Sequence, residues 1–287
     1  MTPLDPLTHF FENQADCRLW AMTGSLVNPR RTRDKFTDYD VAFFTTDVTP
    51  YRQDDHFLTQ FGEVLLQTEP PTPHVSQPTQ GCTYLVQYTS GLRIDFQFYA
   101  LDQLANCLAS DQLTKIMADK DQCLPQPPTP SDRDYWTLPP TTAQYSATVR
   151  EFWWQFLNTL KANCRHDFLL AQFYLNLTRT ELVQLWTWLL AYPDGFERSY
   201  GKQNTDLISQ LPSHDRAQLL ATFDTSSPRA LNESLRLLQD LMVPIARLLT
   251  SEVGVDYRQF IPYESVPERY LQSKHEPQLA HYFRSKY

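Results

Sequence analysis

Residues 124–142, LPQPPTPSDRDYWTLPPTT, constrain the fold more than any other stretch. Proline fixes φ and donates no hydrogen bond, so a run this dense enters neither a helix interior nor a central strand. It reads as a linker between two bodies. We place the boundary there and expect one domain over 1–135 and another over 136–287. The two sides carry different periodicities. Before the boundary, strand and helix signals alternate. The spacing predicts helices over 4–15, 54–66 and 101–109, and strands over 17–24, 38–47, 82–89 and 92–101, with a last short strand within 113–121. Ser90-Gly91 joins two of these strands as a hairpin turn. TEPPTPHVSQPTQG, residues 68–81, reads as a loop between strands. After the boundary, strand signals fade. Residues 146–192 carry apolar side chains at helical spacing, with breaks expected near Asn163 and Thr178. Residues 234–253 form another amphipathic helix, kinked or restarted at Pro244. The expected class is α+β: a mixed sheet with helices, followed by a helical bundle.

Composition narrows the partners. Hydrophobic residues make up 41% of the 287 and charged residues 20%, as in a packed globular chain. The net charge of −8 disfavours a nucleic-acid backbone and suits a cationic small molecule. The five cysteines are scattered, odd in number and without a closely spaced pair. That pattern predicts reduced thiols in a cytoplasm. No apolar run reaches membrane-spanning length. The opening MTPLDPLTHFFENQ lacks a basic region followed by an apolar core, so neither membrane nor secretion is expected.

The chemistry centres on TGSLVNPRRTRDKFTDYDVAFF, residues 23–44. Asp38 and Asp40, one residue apart on an expected strand, project to the same side. Two carboxylates so placed repel each other and lose hydration beside a core. A divalent cation removes both penalties, and hard oxygen ligands with room for phosphate oxygens suit Mg²⁺. Such a site clamps a triphosphate and activates an attacking oxygen. Asp95, inside the apolar strand RIDFQF, is the third acid, and a strand beside Asp38 and Asp40 would bring it to the same metal. Gly24-Ser25 allows close backbone approach, and a helix starting after Ser25 would aim N–H groups at phosphate. Each piece has an ordinary reading too. An Asp-x-Asp is as often a turn with a strand cap. A single strand Asp is more often an edge residue or ion-pair partner, and Gly-Ser occurs in many tight turns. Their order favours the functional reading: strand, Gly-Ser, loop, paired Asp, then one Asp on a later strand.

That order resembles the nucleotidyltransferase superfamily that includes polymerase beta-like enzymes, and more closely the aminoglycoside 6-adenylyltransferases, or streptomycin adenylyltransferases. GSLVNPRRTRDKFTDYD, RIDFQFYAL, MADKDQCL, EFWW at 151–154, RTELVQLWTW at 179–188 and YGKQN at 200–204 match that family's segments in order over most of the chain. The resemblance implies a polymerase beta-like nucleotidyltransferase domain, then a helical domain, with substrate between them. It makes Asp38, Asp40 and Asp95 the metal ligands. Gly24, Ser25 and Lys202 are placed at the nucleotide phosphates, although Lys202 alone could equally cap a helix end. The implied reaction is in-line attack of an aminoglycoside hydroxyl on the α-phosphorus of ATP with Mg²⁺, releasing pyrophosphate.

Two positions depart from the family pattern. Leu26 stands where the family carries an Arg after Gly-Ser, with Arg30, Arg31 and Arg33 nearby in sequence. Gln172 or Phe173 stands where the helical domain carries an Asp, with Asp167 and Glu181 as neighbouring carboxylates. A diverged member with another acceptor, or with a nucleotide-binding or regulatory role, therefore stays open. So does an interaction protein whose three aspartates are unrelated in space. The aromatic residues at 152–154 and 186–188 read as core, and His56, His74, His166 and His281 show no metal spacing.

Overall fold

The structure, a computed structural model, describes residues 4–68 and 81–285. The loop expected over 68–81, with His74, therefore lies almost wholly outside the described residues. The chain divides into two compact units, Met1–Asp134 and Tyr135–Tyr287.

The first unit opens with helix α1 (Leu4–Asn13), then strands β1 (Cys17–Thr23) and β2 (Tyr39–Thr45). A short helix α2 (Thr49–Gln53) leads to β3 (Val64–Gln67), β4 (Gly81–Tyr88) and β5 (Arg93–Ala100). Helix α3 (Leu104–Ser110) and β6 (Thr114–Asp119) complete it. The six strands form one mixed sheet in the order β3-β4-β5-β2-β1-β6. The β2–β5 pair is parallel, and the other pairs are antiparallel.

The sheet's period-2 alternation gives it two different faces. Trp20, Phe43 and Phe98 are register partners across β1, β2 and β5, and their rings stack at 5.9 and 5.3 Å. Phe10 of α1 meets Phe43 edge-on at 5.2 Å. Each buried aromatic contributes about 1.5–3 kcal/mol by area, and each ring pair about 0.5–1.5 kcal/mol more. Phe44 and Tyr99 stack on the opposite face, where Leu104 of α3 joins their cluster. Asp40 and Asp95 share the parity of that second face, away from the aromatic ladder.

The expected helix over 54–66 is not formed. A 3-10 turn spans His56–Phe61, and the edge strand β3 follows. Phe57 and Phe61 have helical spacing and both pack on Phe10, at 5.6 and 5.5 Å, but one turn exhausts that contact. Gly62 then adopts φ +141°, with the Tyr88 ring 3.4 Å from where its β-carbon would stand, and the chain turns into β3. Asp38 lies just before β2 rather than within it. A 3-10 turn, Gly24–Val27, follows β1 in place of the expected helix.

The second unit is helical. Its long helices are α4 (Thr142–Cys164) and α5 (Phe168–Ala191), then short α6 (Leu207–Gln210), α7 (Ser213–Ala221) and the long α8 (Pro228–Val253). Three short helices follow, α9 (Ile261–Glu264), α10 (Val266–Ser273) and α11 (Pro277–Tyr282). Thr141 and Gln144 form a capping box at the start of α4. The break near Asn163 occurs at residues 165–167, where His166 has φ +60°. The break expected near Thr178 does not occur. Its hydroxyl donates to the Tyr174 carbonyl at 2.9 Å, one turn back, and so is satisfied within α5. Helix α8 runs through Pro244 without ending. Its buried face, including Leu235, Leu238, Met242 and Leu249, joins Phe152, Phe156, Leu182 and Leu185 in one core. No described helix is long and apolar enough to cross a membrane.

Candidate active site

The site is built at one end of the parallel strand pair. Asp40 of β2 and Asp95 of β5 are register partners. Neighbouring strands run about 4.8 Å apart, which brings two carboxylates of one face close together. Thr23 at the end of β1 is the partner of Asp40 on its other side. Gly24 follows immediately at φ +68°, and a β-carbon on it would stand 2.5 Å from Asp40 Oδ2. Backbone conformation thus favours glycine here, and a β-carbon would force the Asp40 carboxylate to shift. The Gly24 N–H donates to the Leu113 carbonyl at 3.0 Å, tying the turn to the start of β6.

Arg93 completes the cluster. Its Nε donates to Asp95 Oδ1 at 2.9 Å and its Nη2 to Oδ2 at 3.0 Å. The same Nε lies 3.5 Å from Asp38 Oδ2. One guanidinium therefore grips Asp95 with a two-pronged fork and reaches the first of the paired acids. Asp95 is 9% exposed, so the fork supplies compensation that a buried carboxylate requires. Burial pushes the Asp38 carboxyl above its ordinary range; Arg93 pulls it down, and Asp95 pushes it up again. The Arg93 pKa is raised, chiefly through its hydrogen bond to Asp95.

Among the described residues, no three His, Cys, Asp or Glu side chains stand as a ready metal-binding group. The guanidinium occupies the position of the compensating charge. The donor set nonetheless fits a hard divalent cation: carboxylate oxygens from adjacent strands, with Gly24 leaving space for the Asp40 carboxylate itself.

Arg93 is the site residue that the sequence reading passed over, although RIDFQF contains it. The available signal was its spacing. Residues 93 and 95 of one strand share a face, so an Arg two positions before a buried Asp is poised to pair with it.

Asp38 and Arg93 also border a cavity of about 670 Å³ whose wall includes Leu26, Arg33, Lys35 and Tyr39. Leu26 is buried, in keeping with an apolar side chain at that position. Arg33 and Lys35 sit on the loop before β2, which is folded back by Asp34: Phe36 N–H donates to Asp34 Oδ1, and Asp34 N–H donates to Thr37 Oγ1, both at 2.9 Å.

The remaining candidates lie in the helical unit. Lys202 is exposed on a 3-10 turn, Lys202–Asn204. On α5, Gln172 is half-buried and Phe173 is 57% exposed. Asp167 precedes α5 and pairs with Arg165 at 3.1 Å. Burial lifts Glu181 of α5 to about 7, with a contribution from Glu151 of α4, against which the Thr148 hydroxyl hydrogen bond acts.

The mixed sheet thus sets Asp40 and Asp95 on adjacent parallel strands, beside the Gly24-Ser25 turn. A family model described as streptomycin adenylyltransferase matches residues 3–272, and the chain belongs to that family. Aminoglycoside 6-adenylyltransferase of Staphylococcus aureus is 27% identical over 277 residues, spanning 95% of this chain and 97% of the relative. The enzyme of the same name from Campylobacter jejuni is 28% identical over 274 residues, 94% of each chain. A crystal structure of an aminoglycoside 6-adenyltransferase from Bacillus subtilis aligns over 97% of this chain and 98% of its own, at 20% identity and a TM-score of 0.45.

Proposed function

We propose that this nucleotidyltransferase moves AMP from ATP to a hydroxyl of an aminoglycoside, using Mg²⁺ held by Asp38, Asp40 and Asp95. The single observation that supports this most is the register of Asp40 and Asp95 beside Gly24. An interaction protein has no need of two facing carboxylates with a glycine cleared in front of them. In the reaction, an acceptor oxygen bonds to the α-phosphorus, the bond to the bridging oxygen breaks, and pyrophosphate leaves with that oxygen. The acceptor hydroxyl passes its proton to solvent water. The cation, when bound, would neutralise phosphate charge and polarise the α-phosphoryl group.

The chain's own residues bind and orient. Asp38, Asp40 and Asp95 would hold the metal, and Gly24 and Ser25 would meet the triphosphate. The relatives' names supply the acceptor class, and the net charge of −8 accords with a polycation over a nucleic acid. Five thiols without a disulfide suit a cytoplasmic setting. Blocking a drug hydroxyl in this way would confer antibiotic resistance.

A panel of aminoglycosides, streptomycin included, incubated with ATP and Mg²⁺ tests the reading through pyrophosphate release. Release with at least one of them, lost in Asp40→Asn, is expected. Hydrolysis or nucleotide binding without transfer to any of them would favour a diverged acceptor or a regulatory role.

A further inference from the structure

Arg93 places a cation where the proposed reaction needs a metal. Its fork engages both oxygens of Asp95, and its Nε approaches Asp38. Asp40 adds to the same field and raises the Arg93 pKa further. One guanidinium thus pairs with two of the three carboxylates. A divalent cation entering the site meets a positive charge already in place, and has to share or displace the partner of two of its three ligands. The Arg93 side chain is 40% exposed and borders the 670 Å³ cavity that carries Arg33 and Lys35. The guanidinium therefore has somewhere to go, on a side where an anionic group would be attracted. Guanidinium pairs with phosphate oxygens as readily as with carboxylate, through the same planar fork.

We propose that Arg93 is a cationic latch on the three-aspartate site: it holds Asp38 and Asp95 while nucleotide is absent and yields them to the metal when a triphosphate arrives to receive its charge. This rests on the reading of Asp38, Asp40 and Asp95 as the metal site. Bare cation then binds weakly, and cation and nucleotide bind cooperatively, each raising the other's affinity by the same factor. Arg93 is a positioning residue here, acting on the aspartates.

The test is a titration of the whole chain with Mn²⁺, reading free Mn²⁺ by electron paramagnetic resonance, with and without α,β-methylene-ATP. Wild type, Arg93→Met, Arg93→Lys and Asp40→Asn are compared, with circular dichroism checking the fold. Without nucleotide, Arg93→Met should bind Mn²⁺ about tenfold more tightly than wild type, which is about 1.4 kcal/mol. The strengthening of Mn²⁺ binding by the nucleotide analogue should shrink by the same factor. Arg93→Lys, which keeps the charge, should stay close to wild type. A merely structural role for Arg93 would weaken metal binding on its loss, not strengthen it. Equal or weaker Mn²⁺ binding by folded Arg93→Met overturns the latch, while a site lost in Asp40→Asn leaves the metal reading intact. If neither wild type nor Arg93→Met shows a site that Asp40→Asn removes, both ideas fall. Should Arg93→Met not fold, the wild type decides. The Nε–H resonance of Arg93, assigned by its absence in Arg93→Lys, should move on adding Mg²⁺ with the analogue, and an unmoved resonance overturns the proposal.

Discussion

Gly24 and Asp40 are fitted to one another: a β-carbon on Gly24 would stand 2.5 Å from Asp40 Oδ2. A β-carbon there would push the carboxylate aside, and the φ of +68° at Gly24 adds strain for a non-glycine residue. Gly24→Ala should destabilise the chain by about 1–3 kcal/mol and displace the carboxylate. Thermal melting reads the first effect and pyrophosphate release the second. Adding Asp40→Ala to Gly24→Ala removes the collision but leaves the backbone strain. The double mutant should therefore recover part of the lost stability and none of the activity. A strictly additive double mutant would show that the two residues do not interact.

The facing pair itself predicts a separation of activity from stability. Asp40→Asn and Asp95→Asn keep side-chain shape but remove charge from the cluster that Arg93 completes. Each should lower transfer by about 10²–10³-fold or more, the size seen when a positioned electrostatic group is lost. Their folds should differ. Asp95→Asn weakens a fork to a buried group, so its melting point should fall, whereas that of Asp40→Asn should hold or rise as repulsion is relieved. Circular dichroism melts beside the kinetic assay separate the two effects, and transfer at wild-type rates in either variant would remove that aspartate from the machinery.

Much of this site could be read from the chain because strand parity is a strong rule. RIDFQF and DYDVAFF placed two acids on strands, and adjacency was the one further assumption needed. The parallel pairing of β2 and β5 supplied it, yet that pairing spans a long excursion through β3 and β4 that no local pattern encodes. Asp38 falls outside β2, so parity did not place it; Arg93 links it to Asp95 instead. In 54–66 the periodicity of Phe57 and Phe61 was real, but tertiary packing on Phe10 used it for a single turn. Thr178 misled in the other direction, because a β-branched hydroxyl suggests a break only until its bond to the preceding turn is counted. The fold class was legible from periodicity, while the electrostatics of the site depended on contacts between strands.

Arg179 shows a buried cation held by neutral groups. It is 6% exposed on α5, and its Nε and Nη2 donate to the hydroxyl and carbonyl of Thr222 at 3.0 and 2.7 Å. Its Nη1 donates to Asn176 at 2.6 Å, and the guanidinium lies 3.9 Å from the Phe223 ring centre. Burial lowers its pKa to about 10. The fork satisfies the chain end of α7, where a cation also meets the favourable end of the helix dipole. Arg179→Lys cannot reproduce two parallel donors and should cost about 1–3 kcal/mol in urea unfolding. A midpoint within error of wild type would contradict this account of the α5–α7 junction.

Glu181 gives the helical unit a pH dependence of definite sign. Burial, with help from Glu151, lifts its folded-state value to about 7 from an ordinary value of 4.5. The folded chain therefore holds a proton that the unfolded chain releases between pH 4.5 and about 7. In that window the folded state binds more protons, so stability falls as pH rises, and the loss is complete above the folded value. Glu181 is only partly buried and solvent screens it, so the effect should be near 1 kcal/mol, or about 2–4 °C in melting temperature. Glu181→Gln mimics the protonated side chain. It should melt close to wild type at pH 5, melt above it at pH 8, and flatten the slope between. Glu151→Gln should produce a smaller change in the same direction, since it removes the second-largest cause and leaves burial in place. An identical pH slope in wild type and Glu181→Gln would mean that this carboxylate titrates in its ordinary range.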